Sequence, residues 1–236
     1  MTGTGRGKPA LQNRATARDG HSPVLAGRAV LFDMDGTLVD STEVVERLWT
    51  EFGRRHGIDP ARILGIVHGR QSRDIIARFL PEEAVDEATA ALAGEELTRL
   101  DGIRPVPGAP GFVAQVASHV PVAVVTSAPR PLAEARLQAA GVPVPGPLIA
   151  GGDVAAGKPA PDGYLLAARR LGIPAGACLA FEDAEAGLAA AVAAGARTVV
   201  VGGHQSPLAN SLPRLPDFTR AKASGGAGRV EISGLA

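Results

Sequence analysis

The chain has 236 residues, with 24 basic and 24 acidic side chains, one cysteine, and 45% hydrophobic but only 3% aromatic residues. This length can bury a hydrophobic core, and a single cysteine cannot form an internal disulfide, so we expect a reduced, cytoplasmic protein. The balanced charge argues against a nucleic-acid binder, and the lack of an apolar run of about 18 residues argues against a membrane span.

The N-terminal segment 1–27 mixes glycine, threonine, arginine and asparagine without periodicity, which predicts a disordered extension. Its few basic residues are not followed by an apolar run, so a secretory signal peptide is not expected. A short basic arm that contacts nucleic acid is the less favoured alternative for this segment. The first ordered element is predicted at 27–32, where an apolar run without alternation is typical of a strand buried on both faces.

Segment 41–104 is predicted to be helical, because its apolar residues recur at helical spacing and no convincing strand pattern occurs in it. The residues that carry this spacing are Val44, Val45, Leu48, Trp49, Phe52, Ile75, Ile76, Phe79 and Leu80. A further helical stretch, rich in glutamate and alanine, follows at 82–100. The segment therefore predicts a helical domain inserted after the first strand.

Beyond 105–108, apolar runs alternate with helical patterns. Strands are predicted at 120–125, 147–150, 178–181 and 198–201, and helices at 111–118, 131–140, 162–171 and 185–194. Strands separated by helices of about 10–15 residues indicate an α/β fold with a doubly wound parallel sheet. The predicted core comprises residues 28–40 and 105–236, the inserted helical domain comprises residues 41–104, and 229–233 is a candidate last edge strand.

Polar side chains follow each predicted strand of this core. They are Asp33, Asp35, Thr126, Ser127, Lys158, Glu182 and Asp183. In open α/β sheets, ligands bind beyond the carboxyl ends of the strands, so we expect these groups to face one crevice. Clustered carboxylates need a cation, and hard oxygen ligands favour Mg²⁺. A carboxylate can attack phosphorus, a second can transfer protons, and a lysine can offset charge on phosphoryl oxygens.

Four segments resemble, in the correct order, the four signatures of the haloacid dehalogenase superfamily. They are FDMDGTLVDS at 32–41, VVTS at 124–127, GKPAP at 157–161 and FEDAEAG at 181–187. The resemblance implies a Rossmann-like core with a helical cap inserted after the first strand, which agrees with the insertion predicted from the apolar spacing.

The resemblance also implies a role for each signature residue. Asp33 is the nucleophile and a metal ligand, and Asp35 is the general acid and base that supplies a backbone carbonyl to Mg²⁺. Thr126 and Lys158 hold the phosphoryl group, with Ser127 beside them on the substrate. Asp183 is a carboxylate ligand of the metal, and Glu182 acts beside it, directly or through water.

The same signatures favour phosphoryl transfer over other reactions of the superfamily. True dehalogenases lack the metal site that Asp35 and the Glu182–Asp183 pair imply, and ion-pumping ATPases need membrane spans. Related β-phosphoglucomutases usually carry valine where this chain has Thr37, so a phosphatase is favoured and a mutase-like phosphoryl transfer is the alternative. The expected protein is a monomer or weak dimer that binds a small phosphorylated substrate, not nucleic acid or membranes.

The predicted cap contains a candidate substrate loop. Segment 67–76, VHGRQSRDII, looks like the cap loop of sugar- and polyol-phosphate phosphatases of the superfamily. His68, Arg70 and Arg73 are therefore candidate substrate-binding residues, because arginines bind phosphate and hydroxyl groups well. The alternative is a solvated start of a helix.

A nucleotide-binding loop is a further, weaker alternative. Segment 152–158, GDVAAGK, nearly matches a phosphate-binding loop. The next residue is Pro159, which removes both a backbone donor and the hydroxyl that would hold Mg²⁺.

Overall fold

The computed structural model describes residues 24–226 and 228–236. Its strands, in chain order, are β1 (Leu25–Gly27), β2 (Ala29–Phe32), β3 (Val39–Asp40), β4 (Arg104–Pro105), β5 (Val122–Val125), β6 (Leu148–Ile149), β7 (Cys178–Glu182), β8 (Arg197–Val201), β9 (Arg214–Leu215), β10 (Lys222–Gly226) and β11 (Arg229–Ser233). Its α-helices are α1 (Thr42–Arg55), α2 (Pro60–Leu64), α3 (Ser72–Ile76), α4 (Glu82–Thr98), α5 (Ala109–Ala117), α6 (Arg130–Ala139), α7 (Asp162–Leu171) and α8 (Glu185–Ala193).

The centre of the fold is a parallel six-stranded sheet in the order β6-β5-β2-β7-β8-β9. Every residue of β2, β5 and β7 is buried, because helices cover both faces of the sheet. The α/β prediction is confirmed, and the predicted core helices agree with α5 to α8 to within two residues at each end. The edge strand β9 was not predicted.

The two faces of the sheet bury different residue types. On one face Phe32 stacks on Phe181 at 5.2 Å between ring centroids, and Phe112 and Phe218 pack around them. On the other face the buried residues are mostly small, among them Ala29, Ala123, Ala167, Cys178, Ala180 and Ala190. Four of the six phenylalanines thus lie on one side of the sheet, and alanine lets α7 and α8 pack closely on the other.

Helices α1 to α4 and the loops between them, called the cap below, form a hydrophobic cluster of their own. It is built on Trp49, Phe52, Ile63, Ile75, Ile76, Val85 and Leu92. The chain enters and leaves the cap through strands β3 and β4, which pair antiparallel with Val39 opposite Pro105. Arg104 therefore lies in a strand, although segment 41–104 was expected to contain none. The two connections between core and cap pair with each other only because the fold brings them side by side.

Strands β1, β11 and β10 form a separate antiparallel sheet in that order. The expectation that segment 1–27 is disordered is wrong for Leu25–Gly27, which pairs with β11 and buries Leu25. Segment 229–233 is a strand, but it is the middle strand of this small sheet and not an edge of the main one. Residues 1–23, with the suggested basic arm, lie outside the described residues.

Within the described residues, no helix has the combined length and apolar character that crossing a bilayer requires.

Candidate active site

The candidate site lies at the carboxyl ends of the three central strands. Asp33 directly follows β2, Thr126 follows β5, and β7 ends at Glu182 with Asp183 next to it. Because β2 lies between β5 and β7, Asp33 is at the centre of the group. Lys158 reaches the same place from the loop between β6 and α7. The topology therefore assembles the residues of all four signature segments.

Asp33 and Glu182, both buried, form a cluster of carboxylates with the half-buried Asp183. One oxygen from each lies within 4.8 Å of the other two. Burial, followed by the charge of Glu182, raises the pKa of Asp33 from 3.8 to about 7, although Lys158 opposes the change. Burial also raises the pKa of Asp183 well above its usual value, and Asp33 and Glu182 add to the effect. The cluster therefore needs additional positive charge to stay ionised.

Lys158 supplies one such charge from within the protein. Its Nζ donates hydrogen bonds to Asp33 Oδ1, to Glu182 Oε1 at 2.6 Å and to the carbonyl of Val125 at 3.2 Å. Burial by itself lowers the pKa of a lysine, but Asp33 and Glu182 outweigh it and raise the pKa of Lys158 above its usual value. Lys158 is therefore a permanently charged group beside the nucleophile candidate.

Glu182 is fully engaged by the protein. Its Oε1 accepts hydrogen bonds from Lys158 Nζ and from the Tyr164 hydroxyl at 2.8 Å. Its Oε2 accepts from the backbone N–H groups of Asp183 and Ala184 at 3.1 and 3.3 Å. A carboxylate has about four acceptor sites, and these partners use all of them. The geometry thus favours Glu182 as an anchor for Lys158 over the direct metal ligation that the sequence left open.

The remaining carboxylates fit a divalent cation. Asp33 Oδ2 is buried and has no hydrogen-bond partner among the described residues, so an acceptor is left for a ligand. The Asp183 carboxylate packs directly against Gly36, where a Cβ atom would lie 2.0 Å from Asp183 Oδ2, so the absence of a side chain at position 36 lets Asp183 lie beside Asp33. Three carboxylates face one lysine, and all the available donors are hard oxygens. This donor set matches the preference of Mg²⁺.

Asp35 lies apart from the cluster and is held by two donors. Its Oδ1 accepts from the Ser41 hydroxyl at 2.6 Å and from Arg136 Nη1 at 3.0 Å. The second arm of the Arg136 guanidinium donates from Nη2 to Glu96 Oε1 at 3.1 Å. Asp35 is thus joined to helix α6 and, through Arg136, to the cap helix α4.

Sequence analysis missed Arg136 and Glu96, although a signal was present. Arg136 lies four residues after Leu132 on the buried face of α6, and Glu96 continues the buried face of α4 four residues after Leu92. A charged residue at a core-facing helical position is rare unless it is paired. Two such residues of opposite charge are therefore a signal for a buried ion pair.

Thr126 and Ser127 line the cleft between the carboxylate cluster and the cap. The Thr126 Oγ1 accepts from the backbone N–H of Ala128 at 3.1 Å, so its own proton is free to be donated. The Ser127 hydroxyl donates to the carbonyl of Gly69 in the cap at 3.0 Å. Gln71 makes a second bridge, donating to the carbonyl of Gly151 at 2.8 Å. Sequence analysis missed Gln71, and its position in the cap loop is no specific signal.

The candidate substrate residues of the cap divide into two groups. His68 and Arg70 line the cleft between cap and core, and His68 Nε2 lies 3.6 Å from Glu46 Oε1. Arg73 is not at the cleft, because its guanidinium binds Asp86 at 3.1 Å on the exposed side of the cap. The structure therefore brings His68 and Arg70, but not Arg73, to the site.

The cleft is narrow and has two kinds of wall. Its polar wall contains Asp33, Asp35, Thr126 and Asp183, and its apolar wall contains Val45, Trp49, Ile75 and Leu132. The space open to the centres of water molecules is about 70 Å³. His68 and Arg70 also line a wider external groove of about 520 Å³. These two residues thus lie where the cleft meets the groove.

The structure does not support the alternative of a nucleotide-binding loop. Lys158 is buried and bonded to two carboxylates, and helix α7 begins only at Asp162. A phosphate-binding loop instead leads into a helix with its lysine free for the phosphates.

Known proteins resemble this chain over most of its length. The family model for haloacid dehalogenase-like hydrolases matches residues 28–195. The chain is 38% identical over 178 residues to hexitol phosphatase A of Escherichia coli, covering 74% of this chain and 82% of that protein. It is 32% identical over 183 residues to glycerol-1-phosphate phosphohydrolase 2 of Saccharomyces cerevisiae, covering 72% and 73%.

A solved structure agrees with these matches. CbbY from Rhodobacter sphaeroides, in complex with phosphate, superposes with a TM-score of 0.67 and 28% sequence identity, covering 81% of this chain and 95% of that chain. Fold, order of the signature residues and sequence similarity agree, so the chain is an enzyme that belongs to the family of haloacid dehalogenase-like hydrolases.

Proposed function

We propose that this enzyme is a Mg²⁺-dependent phosphatase that hydrolyses small phosphorylated sugars or polyols through a phosphoenzyme at Asp33. The observation that carries the proposal is the cluster around Asp33, whose Oδ2 has no partner among the described residues while Lys158 holds Oδ1. A carboxylate oxygen that is oriented but not hydrogen-bonded is well placed for nucleophilic attack. A bound Mg²⁺, held by Asp33, Asp183 and the backbone carbonyl of Asp35, would supply charge stabilisation for the phosphoryl oxygens.

In the first half-reaction, Asp33 Oδ2 attacks phosphorus and forms the aspartyl-phosphate bond. The bond between phosphorus and the substrate oxygen breaks, and Asp35 donates a proton to that oxygen so that a neutral alcohol leaves. Lys158 and the Thr126 hydroxyl bind the phosphoryl oxygens and offset their charge. Ser127 lies next to Thr126 and, with His68 and Arg70 of the cap, is proposed to contact the substrate.

In the second half-reaction, Asp35 acts as a base. It removes a proton from water, the water oxygen bonds to phosphorus, and the bond between phosphorus and Asp33 Oδ2 breaks. Inorganic phosphate leaves, and Asp35 is again protonated for the next substrate. The two half-reactions therefore return every group to its starting state.

The substrate class is supported by the relatives and by the cleft. Two of the relatives are named hexitol phosphatase A and glycerol-1-phosphate phosphohydrolase 2, names that refer to hydrolysis of small polyol phosphates. The cleft is small, and its polar groups provide both donors and acceptors for hydroxyl groups. The proposal also includes a cytoplasmic location, which agrees with the single, buried Cys178. It further includes a monomeric or weakly dimeric state.

The proposal is tested by measuring phosphate release from a panel of hexitol, hexose and glycerol phosphates. Activity with Mg²⁺, its loss with EDTA and its return with added Mg²⁺ are expected. No release from the panel or from p-nitrophenyl phosphate would overturn the proposal. A mutase-like enzyme would instead need a sugar bisphosphate primer and would conserve phosphate in an isomeric product, which ³¹P NMR of the products distinguishes.

A further inference from the structure

Arg136 joins the proposed acid and base Asp35 to the cap. Arg136 is 4% exposed, and its two Nη atoms donate hydrogen bonds to Asp35 Oδ1 and to Glu96 Oε1. Its Nε is buried without a partner among the described residues, so every hydrogen bond of the guanidinium goes to a carboxylate. Such a buried arginine is held in one orientation by its two partners.

We propose that Arg136 is a positioning residue that orients Asp35 for proton transfer, and that Glu96 makes this orientation depend on the closed cap. The inference rests on the proposed function, because it concerns the proton that Asp35 gives to the leaving group. None of the four signature segments contains Arg136 or Glu96.

The two oxygens of Asp35 differ in a way that supports this role. Arg136 and Ser41 both donate to Oδ1, whereas Oδ2 has no protein donor among the described residues. Asp35 lines the cleft, and 28% of its side chain is exposed there. With Oδ1 held by two donors, Oδ2 is the oxygen left to carry the proton. Fixing one oxygen thereby sets where the other one meets the substrate.

The link to the cap follows from where the partners lie in the chain. Asp35 and Arg136 belong to the core, whereas Glu96 belongs to cap helix α4. Glu96 is 5% exposed, so its contact with Arg136 is buried and needs α4 against the core. If the cap moves away, Arg136 loses one of its two partners and the orientation of its other arm is less restricted. Proton transfer is thus favoured when the cap covers the substrate.

The test compares two leaving groups. The nitrophenolate of p-nitrophenyl phosphate leaves without being protonated, whereas the alkoxide of a polyol phosphate needs a proton from a general acid. We expect Arg136→Met to lower kcat for a polyol phosphate by about 10–100-fold, which is part of the usual contribution of general acid catalysis. For p-nitrophenyl phosphate we expect a loss of no more than about threefold, since that step needs no acid. The measured quantity is the kcat for the polyol phosphate divided by the kcat for p-nitrophenyl phosphate.

Glu96→Gln tests the role of the cap through a double-mutant cycle. Glu96→Gln alone should reduce the ratio of the two kcat values by less than Arg136→Met does. Added to Arg136→Met, it should reduce the ratio no further. In the double variant, the neutral amide that Glu96→Gln introduces replaces a buried carboxylate that would lack its arginine partner. If Arg136→Met alone does not fold, the double variant can therefore be compared with the wild type instead. Arg55→Met is the matched control, because it removes an exposed contact with Glu95 on the same helix and should change neither rate.

The outcomes distinguish the positioning role of Arg136, its coupling through Glu96, and the proposed function itself. Equal losses for both esters in the variants, with an active wild type, would overturn the positioning role alone. Additive effects of the two substitutions would overturn the coupling through Glu96. A wild-type enzyme that hydrolyses neither ester would overturn the proposed function, and the inference with it.

Discussion

Lys158 Nζ and Glu182 Oε1 are 2.6 Å apart in the buried centre of the site, and Lys158 also bonds to Asp33. Glu182 is itself held by Tyr164 and by two backbone N–H groups. The lysine is therefore oriented by a carboxylate that has no free acceptor of its own. This arrangement places the cation of Lys158 against the nucleophile candidate without relying on the substrate.

Tyr164→Phe is predicted to destabilise the protein by about 1–3 kcal/mol, because it leaves one acceptor of the buried Glu182 without its donor. The activity should fall less than in variants of Asp33, since Lys158 keeps its other contacts. Urea unfolding measures the stability and phosphate release the activity. Ser118→Ala is the control, because its hydroxyl bonds locally on the surface, and it should change stability by less than about 0.5 kcal/mol. Equal stability of Tyr164→Phe and wild type would contradict the anchoring role.

Asp33→Asn is predicted to abolish turnover, by about 10³-fold or more, because it removes the nucleophile. The fold should survive and, without metal, gain stability at high pH. The folded pKa of Asp33 is raised from 3.8 to about 7, so ionisation of Asp33 costs stability as pH rises through that range. The neutral asparagine has no such cost. Well below pH 3.8 the Asp33 carboxyl is protonated in the folded and in the unfolded chain, so the difference from Asp33→Asn should vanish.

Thermal unfolding in EDTA between about pH 4 and 8 measures this difference. The Tm of Asp33→Asn relative to wild type should rise with pH across the window. A difference that stays constant or falls with pH would contradict the assignment of burial and like charge as the cause. Lys222→Met, at an exposed position of strand β10 in the separate antiparallel sheet, serves as a control that should show no such trend.

Much of the site was predictable because its residues lie at the ends of buried strands. Asp33, Thr126 and Asp183 each follow an apolar run, and parallel strands bring their carboxyl ends to one edge of the sheet. The part of the candidate site that lies in the core therefore follows from local patterns together with one topological rule.

The contacts that were missed depend on distant partners. Arg136 meets Glu96, 40 residues earlier, only when α4 closes on α6. Strand β1 exists because Leu25 pairs with Ile232 near the opposite end of the chain. A segment of three residues has no pattern of its own strong enough to predict a strand. Arg73 was expected at the substrate, but its partner Asp86 on the next cap helix turns it away.

Gly187→Ala and Gly94→Ala are predicted to have opposite effects, although both positions lie in helices. A Cβ atom at Gly187 would lie 1.7 Å from Glu182 Oε1, so the anchor would have to move. We expect a loss of about 1–3 kcal/mol and of most of the activity. At Gly94 no atom of the described residues lies within 4 Å of an added Cβ atom, so alanine should add about 0.5–1 kcal/mol through its higher helix propensity.

Urea unfolding of the two variants, with phosphate release measured in parallel, tests this pair. Gly94→Ala should keep wild-type activity, since position 94 is on the exposed side of α4. A Gly187→Ala variant with normal stability and activity would show that Glu182 can move without consequence, in contradiction to its anchoring of Lys158.

Removal and return of Mg²⁺ are predicted to change stability as well as activity. A ligand that binds only the folded state stabilises it, by about 2.7 kcal/mol at 100 times its Kd, so Mg²⁺ should raise the Tm of the EDTA-treated wild type. Asp183→Asn should lose most of this shift, because it removes one of the two carboxylates proposed to bind the ion directly. Asp162→Asn, at the start of α7, is the matched control and should keep the shift. A full Mg²⁺ shift in Asp183→Asn would place the ion elsewhere, whereas no shift in the wild type would contradict a metal site at the cluster.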